Sequence, residues 1–325
     1  MVLTLLLSLP VVLAAGPTAA GTPSMRAPDT GRVQVQMEHV DFHVDQTAVL
    51  HIRYLRGELL PTSQGSPPYF DDKGSFVLSI DSARIGISAA ALSDVLNRYT
   101  FAYAGSPLRG LTVTVAEGRL KQSGVMRGVS FTILADLLAT PQGELRLHPT
   151  SIKAAGLPVG GLMKFFGLQL QQLVDVKRAR GVRLDHNDFV LAPAQILPPP
   201  IVQGRLAAVE VRDSEIVQVF APRSGAAAPA LVPPDTNATS YMYFRGGVLR
   251  FGSLTMSGAN LQLVGTHARG PFEFFLDRYT AQLAAGYIRA TSQGAVVAYL
   301  PNYRDTPALL ASGGSPRRAA AVPRL

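Results

Sequence analysis

The sequence predicts an α+β fold, in which antiparallel strands pack on two long amphipathic helices and a small β-rich domain follows. Apolar and polar residues alternate in many short segments, most regularly in GLTVTVAEGRLKQSGVMRGVSFTILADLL, Gly110 to Leu138. This period of two is typical of half-buried strands. The period becomes helical in two places, at 88–101 and 158–176. An Ala- and Pro-rich segment at 221–239 predicts a linker between two domains.

The N-terminus has the pattern of a secretory signal. An apolar run from Val2 to Ala15 ends in small residues. About 14 residues are too few to cross ~30 Å of hydrocarbon, but they match the core of a signal peptide. We therefore expect 1–15 to be a signal, 16–31 to be a linker, and the protein to be exported to the periplasm or cell envelope. The chain has no cysteine, which excludes disulfides and thiolate chemistry.

The segment after residue 32 predicts a β-hairpin followed by a third strand. Apolar residues alternate from Val33 to Val44, with a slip of phase near Glu38-His39 that indicates a bulge. After a turn at Asp45-Gln46, the alternation resumes from Ala48 to Tyr54. The stretch SFVLSI, residues 75–80, then predicts the next strand.

The first amphipathic helix is predicted in SAAALSDVLNRYTF, residues 88–101. Leu92, Val95, Leu96 and Tyr99 recur at the spacing of one helix face. Ser88 stands where an N-cap residue would accept a hydrogen bond from the first turn.

The ribbon from Gly110 to Leu138 predicts three antiparallel strands. Its first strand has Val113 and Val115 on one face, a turn follows at Glu117-Gly118, and the third strand has Phe131 and Ile133 on one face. A further short strand is predicted at 143–152.

The second amphipathic helix is predicted from Pro158, a good first-turn residue. Its apolar stripe contains Leu162, Phe165, Phe166, Leu170 and Leu173. The helix ends at a basic cluster, which comprises Lys177, Arg178 and Arg180. Cations are favoured at a helix C-terminus, so this cluster has a structural role even without a ligand.

The remaining elements are mostly strands. DFVLAP predicts one strand, and residues 204–220 predict a hairpin that turns at Asp213-Ser214. After the linker 221–239, residues 240–302 form the β-rich C-terminal domain, with a turn at Gly246-Gly247 and a short helix from Asp277 to Ala285. Residues 303–325 predict a basic, disordered tail.

No catalytic constellation is recognisable. His39 and His43 would need a third ligand, such as His51, to hold a metal, and the slip of phase puts their alignment in doubt. The run Asp185, His186 and Asp188 fits a turn. The sequence contains no nucleophile elbow, zincin helix or phosphate-binding loop, so we expect no enzyme activity, no metal and no cofactor.

The formal net charge of +8 favours an anionic partner. An anionic membrane surface and nucleic acid both qualify by charge. Nucleic acid is disfavoured because aromatic residues are not interleaved with the basic clusters.

The order of elements and three phrases resemble the LmeA-like phospholipid-binding family, which is similar to the tubular lipid-binding folds. The phrases are LTVTVAEGRLKQSGVMRGVSF, GELRLHPTSIKAAGLPV and VLAPAQILPPPIVQGRLAAVEVRDSEIVQVF, within residues 33–220. The resemblance implies a strongly curved sheet wrapped around the helices, and an exported protein that binds or transfers phospholipid without catalysis.

The resemblance also implies which residues would contact the lipid. The acyl chains would lie in an apolar bore, and a phosphate headgroup would meet Lys177, Arg178 and Arg180. The residues implied to line the bore are Leu92, Val95, Leu96, Tyr99, Val113, Val115, Phe131, Ile133, Leu162, Phe165, Phe166, Leu170 and Leu173.

Two alternatives remain open at the level of sequence. The same apolar faces are compatible with a filled core, which would favour an envelope scaffold protein whose segment 240–302 binds a protein partner. A hydrolase with paired carboxylates is the other, because the separation of such carboxylates is set by the fold.

Overall fold

A computed structural model describes residues 32–155, 157–158, 176–222, 225–267 and 269–311. Strands dominate these ranges. In chain order they are β1 (Val33–His43), β2 (Val49–Pro61), β3 (Phe76–Ser88), β4 (Leu108–Ala116), β5 (Arg119–Met126), β6 (Val129–Ala139), β7 (Leu145–Ala154), β8 (Leu157–Pro158), β9 (Val182–Asp185), β10 (Asp188–Leu191), β11 (Ile201–Gln203), β12 (Arg205–Arg212), β13 (Glu215–Ala221), β14 (Tyr241–Phe251), β15 (Leu254–Gly265), β16 (Phe272–Phe275), β17 (Tyr287–Ala290) and β18 (Val296–Leu300).

The strands form two sheets. The first has the order β12-β13-β3-β2-β1-β14-β15-β18-β17, with β11 beside β3 and β16 beside β1. The second has the order β4-β5-β6-β7-β10-β9, with β8 beside β7. One continuous apolar core contains buried residues from both sheets.

The helices of the described part are short. They are α1 (Ala89–Val95), α2 (Pro193–Ile196), α3 (Tyr279–Ala285) and α4 (Thr306–Ala311). The predicted start of the first helix is confirmed, because the Ser88 side chain accepts a hydrogen bond from the Ala91 amide. After seven residues, however, α1 gives way to a π-helical turn, Leu96–Thr100.

The predicted fold class is therefore wrong. Within the described ranges the architecture is mostly β, no long amphipathic helix is present, and the sheets are neither closed nor strongly curled. The apolar residues of α1 are covered by the core instead of standing at the axis of a tube. The second predicted helix, at 158–176, falls almost entirely outside the described residues.

The first hairpin and its bulge are confirmed. β1 pairs with β2 in antiparallel register, with Glu38 opposite Tyr54 and Val40 opposite Ile52. His39, between them, has a left-handed φ of 49°. This residue shifts the buried set of β1 from odd to even positions, so both halves of the strand face the core.

The ribbon from Gly110 to Leu138 forms β4, β5 and β6 as predicted. Glu117 and Gly118 both have positive φ, at 56° and 69°. This is the conformation of a two-residue hairpin turn. The next turn, at Arg127 and Gly128, repeats it with φ of 47° and 88°.

The predicted turn at Gly246-Gly247 is wrong. β14 runs through both glycines, and the chain reverses after Phe251, which pairs with Leu254. Both glycines have positive φ, and a Cβ on Gly247 would lie 2.5 Å from the Arg32 carbonyl oxygen. The glycines therefore permit an irregularity inside a strand that passes close to neighbouring backbone.

Strands from both sides of the segment 221–239 belong to one sheet, because β1 pairs with β14. The described part of this segment is tied to that sheet by two buried glutamines. The Gln36 side chain donates to the Leu231 carbonyl and accepts from the Leu231 amide. The Gln262 side chain makes the same two hydrogen bonds with the backbone of Asp235.

The C-terminal elements include two helices. The predicted helix from Asp277 to Ala285 is confirmed as a 3-10 turn, Leu276–Arg278, followed by α3. The described residues of the predicted tail form a 3-10 turn, Tyr303–Asp305, and α4. Residues 312–325 lie outside the described ranges.

Candidate functional site

Three arginines line a surface cleft of about 500 Å³, which we call the arginine cleft. None of its described lining residues is acidic. They are Tyr103, Gly105, Ser106, Pro107, Arg109, Val125, Arg127, Gly128 and Arg178. Guanidinium groups gathered in one concave surface attract an anion.

The strand register brings Arg109 and Arg127 together. Arg109 lies on β4 opposite Val125 of β5, two residues before Arg127. The Arg127 amide donates to the Pro107 carbonyl at 3.1 Å, which joins the β5–β6 turn to the entry of β4. Both side chains are therefore positioned by paired backbone.

Arg178 reaches the cleft from another part of the chain. Its guanidinium lies 5.1 Å from the centroid of the Tyr103 ring, and Nη1 donates to the Ala104 carbonyl at 3.3 Å. Stacking on a ring keeps a guanidinium in a fixed orientation while most of its five N–H donors stay available.

An apolar cavity of about 30 Å³ lies beside the cleft. Leu108 lines this cavity and the next residue, Arg109, lines the cleft, because successive side chains of β4 point to opposite faces. A water molecule needs roughly 10–15 Å³ of such space, so the cavity holds about two water molecules. The cavity is therefore too small for an acyl chain in this conformation.

The residues predicted to line a bore are distributed over the core. Leu92 and Leu96 line the small cavity. Tyr99 and Val115 pack against the core and are half-buried. Val95, Val113, Phe131 and Ile133 are buried, as are Leu92 and Leu96. The predicted residues outside the described ranges are Leu162, Phe165, Phe166, Leu170 and Leu173.

Of the three predicted headgroup residues, Arg178 lines the arginine cleft. Lys177 and Arg180 are exposed, and the Arg180 amide donates to the Thr100 carbonyl at 3.4 Å. Arg109 and Arg127 were missed by the sequence interpretation. The register of the predicted hairpin was a usable signal, because a turn at Glu117-Gly118 pairs the region of Arg109 with the residues just before Arg127.

A second cleft, of about 690 Å³, lies on the first sheet and contains histidines and carboxylates. Asp41 and His51 are cross-strand neighbours on β1 and β2, with His51 Nδ1 2.8 Å from Asp41 Oδ1. The hydrogen bond to Asp41 raises the pKa of His51 above its usual value, against the opposing effect of burial. Glu215 also lines this cleft and pairs with Arg53 at 2.6 Å.

The histidines of β1 do not assemble a metal site. His39 and His51 both line the second cleft, whereas His43 lies against the ring of Phe275, 5.6 Å between centroids. Burial lowers the pKa of His43. Among the described residues, no group of three or more histidine or carboxylate side chains is placed to hold a metal ion.

The run from Asp185 to Asp188 forms the predicted turn, between β9 and β10. Its carboxylates are used in ion pairs with β7. Arg146 contacts Asp185 at 3.4 Å and Asp188 at 3.2 Å, and His148 contacts Asp188 at 2.7 Å. These residues therefore tie two strands together at the surface.

No protein-family model matches the sequence, and comparisons with curated proteins and with solved structures give no match. The similarity to the LmeA-like family therefore stays a prediction. No helix in the described ranges has the length and apolar character needed to span a membrane.

Proposed function

We propose that this protein is an exported, non-catalytic phospholipid-binding protein of the cell envelope, which takes the anionic headgroup in the arginine cleft. The observation that carries this proposal is the convergence of Arg109, Arg127 and Arg178 in one cleft without an acidic neighbour in its described lining. An envelope protein partner at 240–302 stays a prediction.

The chemistry of the cleft favours phosphate. A guanidinium offers parallel N–H donors that match two phosphate oxygens, and hydrogen bonds to ionised groups are roughly twice as strong as neutral ones. A volume of about 500 Å³ also lies within the usual ~300–1,000 Å³ of small-molecule sites. The cleft is therefore large enough for a glycerophosphate headgroup.

The acyl chains would have to bind somewhere other than the tubular bore that the sequence analysis predicted. The adjacent apolar cavity, at about 30 Å³, holds no acyl chain without rearrangement. Val125, in contrast, lines the cleft and is 40% exposed. We therefore place the chains outside the core, beside this apolar rim of the cleft.

Native mass spectrometry of the full chain, incubated with a mixture of phospholipids, tests this function. We expect bound anionic phospholipid on the unaltered protein and its loss from the double variant Arg109→Gln, Arg127→Gln. Arg289→Gln is the control for removal of an arginine, because Arg289 lies on β17 and does not line the cleft. Equal lipid loading of the double variant and the control would contradict the proposal.

The pair of Asp41 and His51 supports a second candidate, a hydrolase. With Nδ1–H donated to Asp41, the neutral ring has Nε2 as a proton acceptor. In that role, Nε2 would take a proton from water while the water oxygen attacks the ester carbonyl carbon. The C–O bond to the alcohol would then break, and the departing alkoxide would take the proton from the imidazolium. Activity on nitrophenyl esters that disappears in His51→Gln would favour this candidate, and equal rates in both proteins would dismiss it.

A further inference from the structure

We propose that the tip of the β5–β6 hairpin, residues 125–129, inserts into the surface layer of an anionic phospholipid bilayer. This inference rests on the proposed function and specifies the source of the ligand. The arginine cleft would then receive headgroups from a membrane and not from lipid dispersed in water.

The tip exposes aliphatic side chains on both sides of a basic turn. Val125 is 40% exposed, Val129 is 48% exposed, and Arg127 and Gly128 form the turn between them. An added Cβ on Gly128 would have no atom within 4 Å, so the turn projects into open space. The register pairs Val125 with Ser130 and Val129 with Met126, so the two valines lie on opposite faces and each face of the projecting tip exposes one aliphatic side chain.

Charge complementarity identifies the occupant as an anionic bilayer. Arg127 is at the tip, and Arg109 and Arg178 line the cleft behind it. Basic side chains near an anionic lipid surface each contribute about 1 kcal/mol of attraction. An arginine can keep its guanidinium among phosphates while its aliphatic stem lies against the acyl region.

The backbone limits how deep the tip can enter. The Arg127 amide is paired with the Pro107 carbonyl, but hydrocarbon offers no hydrogen-bond partner to any peptide group of a turn that lacks a partner within the protein. Insertion is therefore shallow: the turn and the flanking Val125 and Val129 lie at the level of the glycerol groups, and the Arg127 side chain extends outward so that its guanidinium stays among the phosphates.

The absence of tryptophan from the chain permits a direct test. Val129→Trp introduces a unique fluorophore at the tip, and Val232→Trp introduces one at another exposed valine, 71% accessible, on the segment 225–239. With phosphatidylglycerol vesicles we expect a blue shift and quenching by brominated acyl chains for Val129→Trp. We expect neither for Val232→Trp, and neither for Val129→Trp with phosphatidylcholine vesicles.

Substitution of the same valine supplies a second measurement. Val129→Ser should weaken co-sedimentation with phosphatidylglycerol vesicles by about tenfold, the equivalent of withdrawing one valine side chain from an apolar phase. Its affinity for soluble dihexanoyl phosphatidylglycerol should not change, because Val129 does not line the cleft. Thermal unfolding of each variant checks that the fold is retained.

The outcomes separate this inference from the proposed function. If soluble phosphatidylglycerol binds and Val129→Trp shows no shift with vesicles, insertion is wrong and phospholipid binding stands. If neither soluble lipid nor vesicles bind, both proposals fail. An equal shift for Val129→Trp and Val232→Trp would also overturn insertion at the hairpin.

Discussion

The guanidinium of Arg178 lies over the ring of Tyr103, 5.1 Å from its centroid. These two residues are far apart in the sequence, and both line the arginine cleft. Stacking on the Tyr103 ring holds the Arg178 guanidinium in one orientation, so its N–H donors keep a fixed direction. The affinity of the cleft for an anion should therefore depend on this arginine.

We expect Arg178→Gln to weaken binding of soluble dihexanoyl phosphatidylglycerol by roughly tenfold, since a hydrogen bond to a charged group is worth about 1.5–3 kcal/mol. Isothermal titration calorimetry measures the change. Added salt should weaken binding to the unaltered protein and should affect the variant less. Arg289→Gln, the control stacked on Tyr287 and Tyr299, should bind normally, and unchanged affinity of Arg178→Gln would remove this arginine from the site.

The pair of His51 and Asp41 predicts a pH-dependent contribution to stability. The hydrogen bond that the His51 ring donates to the Asp41 carboxylate raises the folded-state pKa of His51. The resulting stabilisation is fully present below the unfolded pKa and is lost as pH rises through the raised folded value. Because the His51 side chain is 37% exposed, solvent screening limits this stabilisation to below about 1 kcal/mol.

Urea unfolding of His51→Gln checks this sign. The variant should be less stable than the unaltered protein at about pH 5, and the two should converge at about pH 9. A difference that grows with rising pH would contradict the assigned direction of the shift.

Tyr99 donates its hydroxyl to Asp45 and so links the π-helical turn after α1 to the turn of the first hairpin. Burial and this hydrogen bond raise the pKa of Tyr99 to about 12. Burial alone would raise the pKa of Asp45, but the hydrogen bonds from Tyr99, Ala48 and Thr47 outweigh it and hold that pKa below its usual value.

We expect Tyr99→Phe to lower the free energy of unfolding by about 1–2 kcal/mol at neutral pH. The stabilisation from Asp45 is present above its unfolded pKa and is lost as pH falls through the depressed folded value. The variant should therefore lose less stability than the unaltered protein on acidification. Urea unfolding at several acidic pH values measures both effects, and parallel pH profiles would refute the role of the pair.

Gly246 and Gly247 allow a comparison of strain with steric clash. Both have positive φ, but an added Cβ meets the Arg32 carbonyl oxygen at 3.9 Å from Gly246 and at 2.5 Å from Gly247. Gly246→Ala should cost about 1 kcal/mol from backbone strain, and Gly247→Ala should cost more because the backbone of residue 32 must also move. Thermal unfolding ranks the variants, and equal costs would place the clash in doubt.

Gln36 is 3% exposed and binds the Tyr241 hydroxyl as well as both backbone groups of Leu231. Removal of its amide should leave buried groups without partners, at a cost of about 1–3 kcal/mol. We expect Gln36→Ala to speed hydrogen exchange at the Leu231 amide. Gln218→Ala, a half-buried glutamine of β13, should leave that exchange rate unchanged, and slow exchange in both variants would show that other contacts hold the segment.

Local features of the fold were predictable because their causes lie within a few residues. The turn at Glu117 and Gly118, the cap at Ser88 and the bulge at His39 follow from turn chemistry, capping and the phase of apolar residues. The extent of the first helix was not predictable in this way. Its apolar spacing continues to Tyr99, yet α1 ends at Val95 and a π-helical turn follows. In that turn Tyr99 bonds to Asp45 of a distant hairpin, a contact that no local pattern encodes.

Local patterning was enough to predict most of the longer strands, several of the hairpin turns and the excess of arginine. The pairing of β14 with β1 across the segment 221–239, and the meeting of Arg109, Arg127 and Arg178 in one cleft, appear only in the folded chain. Alternation specifies which face of a strand avoids water but not which strand lies beside it. The site therefore depends on contacts between distant residues, which a local pattern of apolar and polar residues does not encode.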